Sequence, residues 1–293
     1  MTAAGFSTRA RRLPTLGVGI STEYGASQSG ALHPLDLHAR HPGVVEFLEL
    51  GVETVKGLDA DGQAWADAGL PTTYHFLDVN LDEPDDLDED WLEEVRALLQ
   101  RARPAWLCGD AGLWHLGARE RGHMLLLPPI LSHDGVAPMA DGIRALRAAT
   151  GLEVFPENPP GRVFLGDLHV LDFFGRVVDA ADTGLLLDCA HLAIFQRLRG
   201  LPPLAGLDGF PLDRVVEMHV AGGTPMEHDG FRWVEDDHGP EPLADTWMIF
   251  DHVVARAPNL RAVVFECERN TADEILPGFH RLHAALAGRG TRR

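Results

Sequence analysis

The chain is predicted to form a (β/α)8 barrel. Short β-branched or apolar runs recur along its whole length, helix-like stretches separate most of them, and no Ser/Pro/Gly-rich linker divides it. At 293 residues it has room for eight strand–helix units around a single core. The candidate strands are residues 17–21, 44–50, 72–77, 105–109, 152–157, 184–188, 215–220 and 262–268. The clearest helix is 87–103, where Trp91, Leu92, Val95, Leu98 and Leu99 recur at helical spacing opposite a charged face. Residues 143–149, 168–181, 246–256 and 272–287 carry the same pattern. Strand, helix and strand in repetition imply a parallel sheet with right-handed crossovers. An open doubly wound sheet is the rival, but no Gly-x-Gly-x-x-Gly follows an early strand, and the Gly109/Gly112 and Gly222/Gly223 pairs are too short to cradle phosphates. Residues 1–15, with Arg9, Arg11 and Arg12 but no following apolar stretch of signal-peptide length, read as a flexible lead-in. Residues 16–293 then form one catalytic barrel domain, and the expected location is cytoplasmic.

Composition narrows the function. Lys plus Arg number 25 against 44 Asp plus Glu, a formal charge of −19. Such a chain offers no phosphate-neutralising surface, so neither nucleic acid nor an anionic membrane is an expected partner. No apolar run approaches the roughly 20 residues that a membrane helix needs. The 3 cysteines, Cys108, Cys189 and Cys267, are far apart and form neither a disulfide framework nor a Cys-x-x-Cys clip. Many of the 15 histidines, in contrast, lie beside acidic residues at the ends of apolar runs.

In a barrel of this kind, reactive residues gather where strands end and the following loops begin. The second run carries Glu49 with Glu53 after it, the third His75 followed by Asp78, and the fourth is followed by Asp110. The fifth ends in Glu157–Asn158, and the sixth in Asp188 with His191 three residues on. The seventh contains His219, and its long following loop carries Asp236, Asp237 and His238; the eighth contributes Glu266 and Glu268. Singly, each has an ordinary explanation: a histidine bonded in the core, or a carboxylate capping a helix. Buried acids and imidazoles are costly unless paired or metal-bound, and placing them at most strand ends favours one shared metal centre. Imidazole plus carboxylate without organised thiolates suits Fe, Mn or Zn. The number of candidates exceeds what one four-coordinate zinc uses, which suggests two or more ions.

Several segments match a known family. Leu-Leu-Leu-Asp188-Cys-Ala-His191 resembles its sixth-strand region, and Val-Val-Glu-Met-His219-Val-Ala-Gly its V-x-E-x-H-x-A-G motif. Asp236-x-His238 resembles the D-x-H that follows, Glu157–Asn158 the fifth-strand E-N, and Glu268–Arg269 the terminal E-R. The family is DUF692, the multinuclear non-heme iron-dependent oxidative enzymes, which include the iron subunit of methanobactin biosynthesis. The likeness runs from about the second strand to the eighth. It implies two or three irons in mixed Fe(II)/Fe(III) states, with dioxygen as co-substrate. It also implies a ribosomally made precursor peptide modified at a Cys or C-terminal Asp side chain, and a small partner protein that presents it. Carried over by position, the implied metal ligands are His75, Glu157, Asp188, His191, His219, Asp236, His238 and Glu268, with Glu157, Asp188 and His191 nearest the catalysis. Glu49, Asp110, His115, Asn158 and Glu266 are possible additions. Ala111 stands where the family places a histidine after the fourth strand, and His115 is the nearby substitute. Glu266 and Glu268 share one face of an extended strand, so either could reach the metal.

Two further readings stand beside this one. A redox-inert Zn or Mn sugar isomerase or hydrolase could use the same strand ends on a xylose-isomerase-like barrel; Lys56, the chain's only lysine, is at no strand end. A binding protein with vestigial strand ends is the other. The loop after the seventh run, with His228, Arg232, Trp233 and Gly222, Gly223 and Gly230, is either a lid or a surface excursion. Arg162 and Arg269 are candidates to receive a peptide carboxylate.

Overall fold

The computed structural model describes residues 5–23, 32–117, 121 and 125–290. Eight parallel strands close into a barrel: β1 (Gly17–Glu23), β2 (Phe47–Val52), β3 (Thr72–Phe76), β4 (Leu107–Asp110), β5 (Val154–Glu157), β6 (Leu185–Asp188), β7 (Val215–Ala221) and β10 (Ala262–Glu266). The strand order is β1-β10-β7-β6-β5-β4-β3-β2. Between β7 and β10 an antiparallel ribbon, β8 (Gly223–His228) and β9 (Phe231–Asp236), stands outside the barrel. The helices are α1 (Phe6–Ala10), α2 (Pro34–Arg40), α3 (Ala60–Asp67), α4 (Glu89–Ala102), α5 (His133–Thr150), α6 (Val170–Ala181), α7 (Cys189–Arg199), α8 (Ala244–Val254) and α9 (Ala272–Gly290).

Alternation along each strand divides its side chains between two environments. Leu48, Leu50, Tyr74, Phe76, Met218, Val220, Val263 and Phe265 pack in the layer shared with the helices. Phe47, Cys108, Phe155, Leu186, Val216 and Val264 point inward and fill the lower half of the barrel with apolar matter. Gly19 makes room for this filling, since a Cβ there would stand 2.5 Å from the Phe47 ring. Two residues further along the same inward faces, or three on the bulged β7, the apolar filling stops, and Glu49, His75, Asp110, Glu157, Asp188, His219 and Glu266 take over.

A register slip sets the face of β7. Leu185 pairs with Val215 but Leu186 pairs with Glu217, so Val216 is an extra residue on that strand. The bulge lets Val216 join the inner core and still leaves Glu217 and His219 facing inward.

The helices follow the expected caps. Asp88, Ser132 and Asp188 accept hydrogen bonds from the first-turn amides of α4, α5 and α7. α5 starts well before the predicted 143–149, because Ser132 caps it and the two glycines and Pro138 within its run do not break it.

The N-terminal expectation needs correction. Residues 5–15 are not a loose lead-in: α1 plugs the bottom of the barrel, with Phe6 and Ala10 buried against Trp106, Phe155 and Val216. Asp182 accepts from the Phe6 amide at 3.0 Å and from Arg9 Nη1 at 3.0 Å, while Arg9 Nε donates to Glu153 at 2.6 Å. Arg214 lies over the Phe6 ring at 4.9 Å. No described helix is long and apolar enough to cross a membrane.

Candidate metal centre

At the C-terminal ends of the strands, imidazoles and carboxylates meet inside the barrel mouth. Parallel register makes this possible: Asp110 is level with Glu157, and Asp188 with His219. His75 Nε2 lies 2.7 Å from Glu157 Oε2, and His219 Nε2 lies 3.0 Å from Glu49 Oε1. The other ring nitrogen of His219 is 3.3 Å from Glu266 Oε1 and 3.5 Å from Glu157 Oε1. His191 projects inward from the first turn of α7, where Asp188 Oδ1 caps the helix by accepting the His191 amide. Its Nδ1 sits 3.3 Å from Glu157 Oε1 and its Nε2 sits 2.9 Å from Asp236 Oδ2. Asn158 does not reach inward as a ligand; its side chain exchanges hydrogen bonds of 3.0 Å with the backbone of Asp188 and so fixes that turn.

The β8–β9 ribbon delivers the rest. Asp236 ends β9, and His238, in the left-handed region at φ 51, turns back over the mouth. His238 Nδ1 is 2.9 Å from Glu268 Oε2 and its Nε2 is 3.8 Å from Glu266 Oε2. Glu266 and Glu268 therefore both face the site, with Cys267 between them turned into the core. Ser21 donates to Glu268 and fixes its orientation.

His115 stands apart from this group. Its Nε2 pairs with Asp86 Oδ2 at 3.1 Å, and Arg121 holds the same carboxylate from the other side. The loop after β4 carries His115 away from the mouth, while Ala111 is buried among apolar side chains. Two inward groups escaped the sequence reading. Cys108 Sγ donates to Glu49 Oε2 at 3.2 Å, and Glu217 accepts from Trp106 Nε1 at 2.6 Å beneath the mouth. Glu217 lies within the V-x-E-x-H motif two residues before His219, and strand alternation alone would have put both on one face.

Electrostatics explain what the arrangement needs. Carboxylates outnumber imidazoles among these buried side chains. Burial, reinforced by the Glu157 charge, pushes Asp110 well up, and burial with the charges of Glu266 and Glu157 raises Asp188. Burial opposes protonation of His75, but its bond to Glu157 and the charges of Glu49, Glu157 and Asp110 outweigh this and raise it to about 9. His191, His219 and His238 are raised in the same way against burial. The group thus holds protons where cations would neutralise it as well.

The donor set fits a multinuclear metal centre. Glu49–His219–Glu266, His75–Asp110–Glu157, Glu157–Asp188–His191 and His238–Glu266–Glu268 each bring ligand atoms within 4.8 Å of one another. Glu157 and Glu266 each belong to two of these sets, as bridging carboxylates would. Asp110 Oδ1, Glu157 Oε1, Asp188 Oδ2, His219 Nδ1, Asp236 Oδ1 and Glu266 Oε2 are buried without a hydrogen-bond partner. Orphaned atoms of this kind, gathered in one place, point to a cation site rather than to poor packing. The cavity above them is about 580 Å³. A larger one, about 1020 Å³, opens near the other end of the barrel between α8 and α9 and has no such donor set; Arg256, Arg261 and Arg289 there donate to backbone carbonyls.

Comparison with known proteins identifies the fold and the family. A UPF0276 protein of Anaeromyxobacter sp. is 24% identical over 67% of this chain and 68% of its own length. A UPF0276 protein of Acaryochloris marina is 27% identical over 64% of this chain and 67% of its own. Among solved structures, a xylose isomerase-like TIM barrel protein from Mycobacterium smegmatis in complex with magnesium has a TM-score of 0.59 at 11% identity, covering 96% of this chain and 98% of that one. Endonuclease IV from Thermus thermophilus has a TM-score of 0.55 at 14% identity, covering 93% and 99%. These likenesses establish the xylose-isomerase-like barrel. The family described as RiPP precursor modification enzyme MbnB/TglH/ChrH matches residues 31–287, the span that carries every strand-end donor from Glu49 to Glu268. The chain belongs to that family.

Proposed function

We propose that the protein is a multinuclear iron-dependent oxidase or oxygenase that uses dioxygen to modify a Cys or C-terminal Asp side chain of a ribosomal precursor peptide. The observation that supports this most is the set of orphaned buried donors between His75, His191, His219 and His238. In this reading His75, Glu157, Asp188, His191, His219, Asp236, His238 and Glu268 hold two or three irons, with Glu49, Asp110 and Glu266 as further donors. Bound iron supplies the redox chemistry and lowers the pKa of a coordinated thiol or amide.

The chain's own residues do the rest. Asn158, Ser21 and Cys108 orient Asp188, Glu268 and Glu49, so the donors are held before any ion arrives. Thr22, Leu77 and Trp114 wall the cavity above and limit water around the reacting side chain. His238 and Asp236 come from the ribbon, so its position decides whether the site is complete. A small partner protein that presents the peptide belongs to the same proposal.

The test is metal analysis and Mössbauer spectroscopy on protein purified without oxygen, with mass spectrometry of a short Cys- or Asp-bearing peptide encoded beside the gene. Iron at two or more per chain and an oxygen-dependent mass change are expected. Iron at background, or activity restored by Zn or Mn under strict anaerobiosis, would replace this reading with a redox-inert isomerase or hydrolase.

A further inference from the structure

We infer that the peptide residues flanking the modified side chain are apolar, and that the loops after β4 and β5 select them. The inference rests on the peptide-modifying reading above and adds the class of sequence accepted. Leu127, Ile130, Val163 and Leu165 are 52%, 60%, 64% and 61% exposed. Single exposed aliphatics are ordinary, but these four lie on two loops that are pinned together. The Leu131 amide donates to the Leu165 carbonyl at 2.8 Å, the Leu168 amide to the Leu131 carbonyl at 3.0 Å, and Gly161 lies against Pro128 so closely that a Cβ would stand 2.5 Å from its ring. Leu127 and Val163 also line the cavity whose floor is His75, Asp110 and Glu266. Leu127 and Val163 thus carry the apolar surface into the cavity of the metal centre, while Ile130 and Leu165 extend it on the same two loops outside.

Charge weighs against acidic neighbours in the peptide, because the cavity floor is carboxylate-rich. Among the described residues lining the cavity, Arg162 is the one arginine or lysine; Glu235 pairs with it and Trp233 lies under it at 5.1 Å. A carboxylate in the peptide would have to break that pairing. An extended segment with Leu-, Val- or Phe-type neighbours instead covers surface that otherwise faces water.

Fluorescein-labelled octapeptides with one central Cys, flanked by Leu/Val, by Ser, by Glu or by Lys, can be compared by anisotropy on the metal-loaded protein without oxygen. The apolar peptide should bind about tenfold tighter than the Ser peptide. Leu127→Glu and Val163→Glu, on separate loops, should each erase that preference independently while melting temperature and metal content stay the same. Equal binding of apolar and Ser peptides, no binding of either, tightest binding of the Glu or Lys peptide, or a preference that survives the substitutions would overturn the inference. Affinity is read without turnover. Loss of iron or of peptide oxidation with the preference intact would count against the chemistry alone, and loss of the preference with both intact against the selection alone.

Discussion

Asp188 and His219 are register partners on adjacent strands, yet Asp188 Oδ2 stops 3.9 Å from His219 Nδ1, and both atoms are buried without a hydrogen bond. That separation is too long for a direct bond, and each belongs to its own set of ligand atoms, Asp188 with Glu157 and His191, His219 with Glu49 and Glu266. Asp188 also has a structural duty, because its Oδ1 caps α7. The two roles can be separated. Asp188→Asn keeps the cap, since Asn and Asp cap equally well, but removes the anionic donor. Metal affinity should fall by more than the roughly tenfold to hundredfold that losing an outer-shell partner costs, while the metal-free protein melts no earlier than wild type. Asp188→Ala should lose the same affinity and a further ~1 kcal/mol of stability from the missing cap. Anaerobic Fe(II) titration and thermal melts check both; unchanged metal uptake in the Asn variant would remove Asp188 from the ligand set.

Metal uptake should release protons. His75 is raised from 6.5 to about 9 in the metal-free protein, so at pH 7 it is protonated and paired with Glu157. The folded value lies above the unfolded one, so this pair stabilises the metal-free fold fully below pH 6.5. Its contribution is lost as pH rises through about 9. A metal ligand must be neutral imidazole, so affinity runs the other way and grows with pH across that window. An indicator dye in weak buffer should register roughly one proton more per chain for wild type than for His75→Asn when Mn(II) or Fe(II) is added at pH 7. Equal release by the two proteins would place His75 outside the centre.

His115 provides the contrasting case. It sits at 0% side-chain exposure on Asp86, beside Arg121, in a network that ties the loops after β3 and β4 together. His115→Ala would leave the buried Asp86 carboxylate one partner short, at a cost of about 1–3 kcal/mol in urea unfolding. Metal stoichiometry should not change. A drop in bound metal without loss of stability would return His115 to the centre.

What sequence could and could not reveal follows from how each side chain is placed. The inward direction of His75, His219 and Glu157 is legible because strand alternation decides their face, and a parallel barrel sends one end of every strand to the same mouth. Glu268 lies past the end of β10, where alternation no longer decides, so the choice between it and Glu266 stayed open until both were seen facing His238. His115 is a loop residue, and proximity in sequence to Asp110 says nothing about direction. The β8–β9 ribbon looks like a plain loop in sequence, although it carries Asp236; Pro225 in one arm and the exposed, mixed residues of both arms give no clean period of two. α1 was missed for a related reason. A helix of five residues has too few turns for periodicity, and its burial depends on Asp182, Glu153 and Trp106 far along the chain.

That plug makes a prediction independent of the metal. Phe6 is 1% exposed inside the lower barrel, and its amide and the Arg9 guanidinium both end on Asp182. Phe6→Ala should cost about 3 kcal/mol, the usual penalty for emptying a buried aromatic site. Asp182 is partly exposed, so its ion pairs are screened and Asp182→Asn should cost only about 1 kcal/mol at pH 7. Although burial opposes ionisation, the Arg9, Phe6 and Arg214 contacts hold the Asp182 carboxyl below its ordinary 3.8. Its contribution is therefore present above pH 3.8 and disappears as pH falls through the lowered value. Urea unfolding should show the wild type and Asp182→Asn separated at pH 7, with the gap narrowing as pH is taken below 3.8. Neither substitution touches the upper half of the barrel, so both proteins should bind as much metal as wild type. A destabilisation by Phe6→Ala below ~0.5 kcal/mol would mean that the segment before β1 is not part of the folded core.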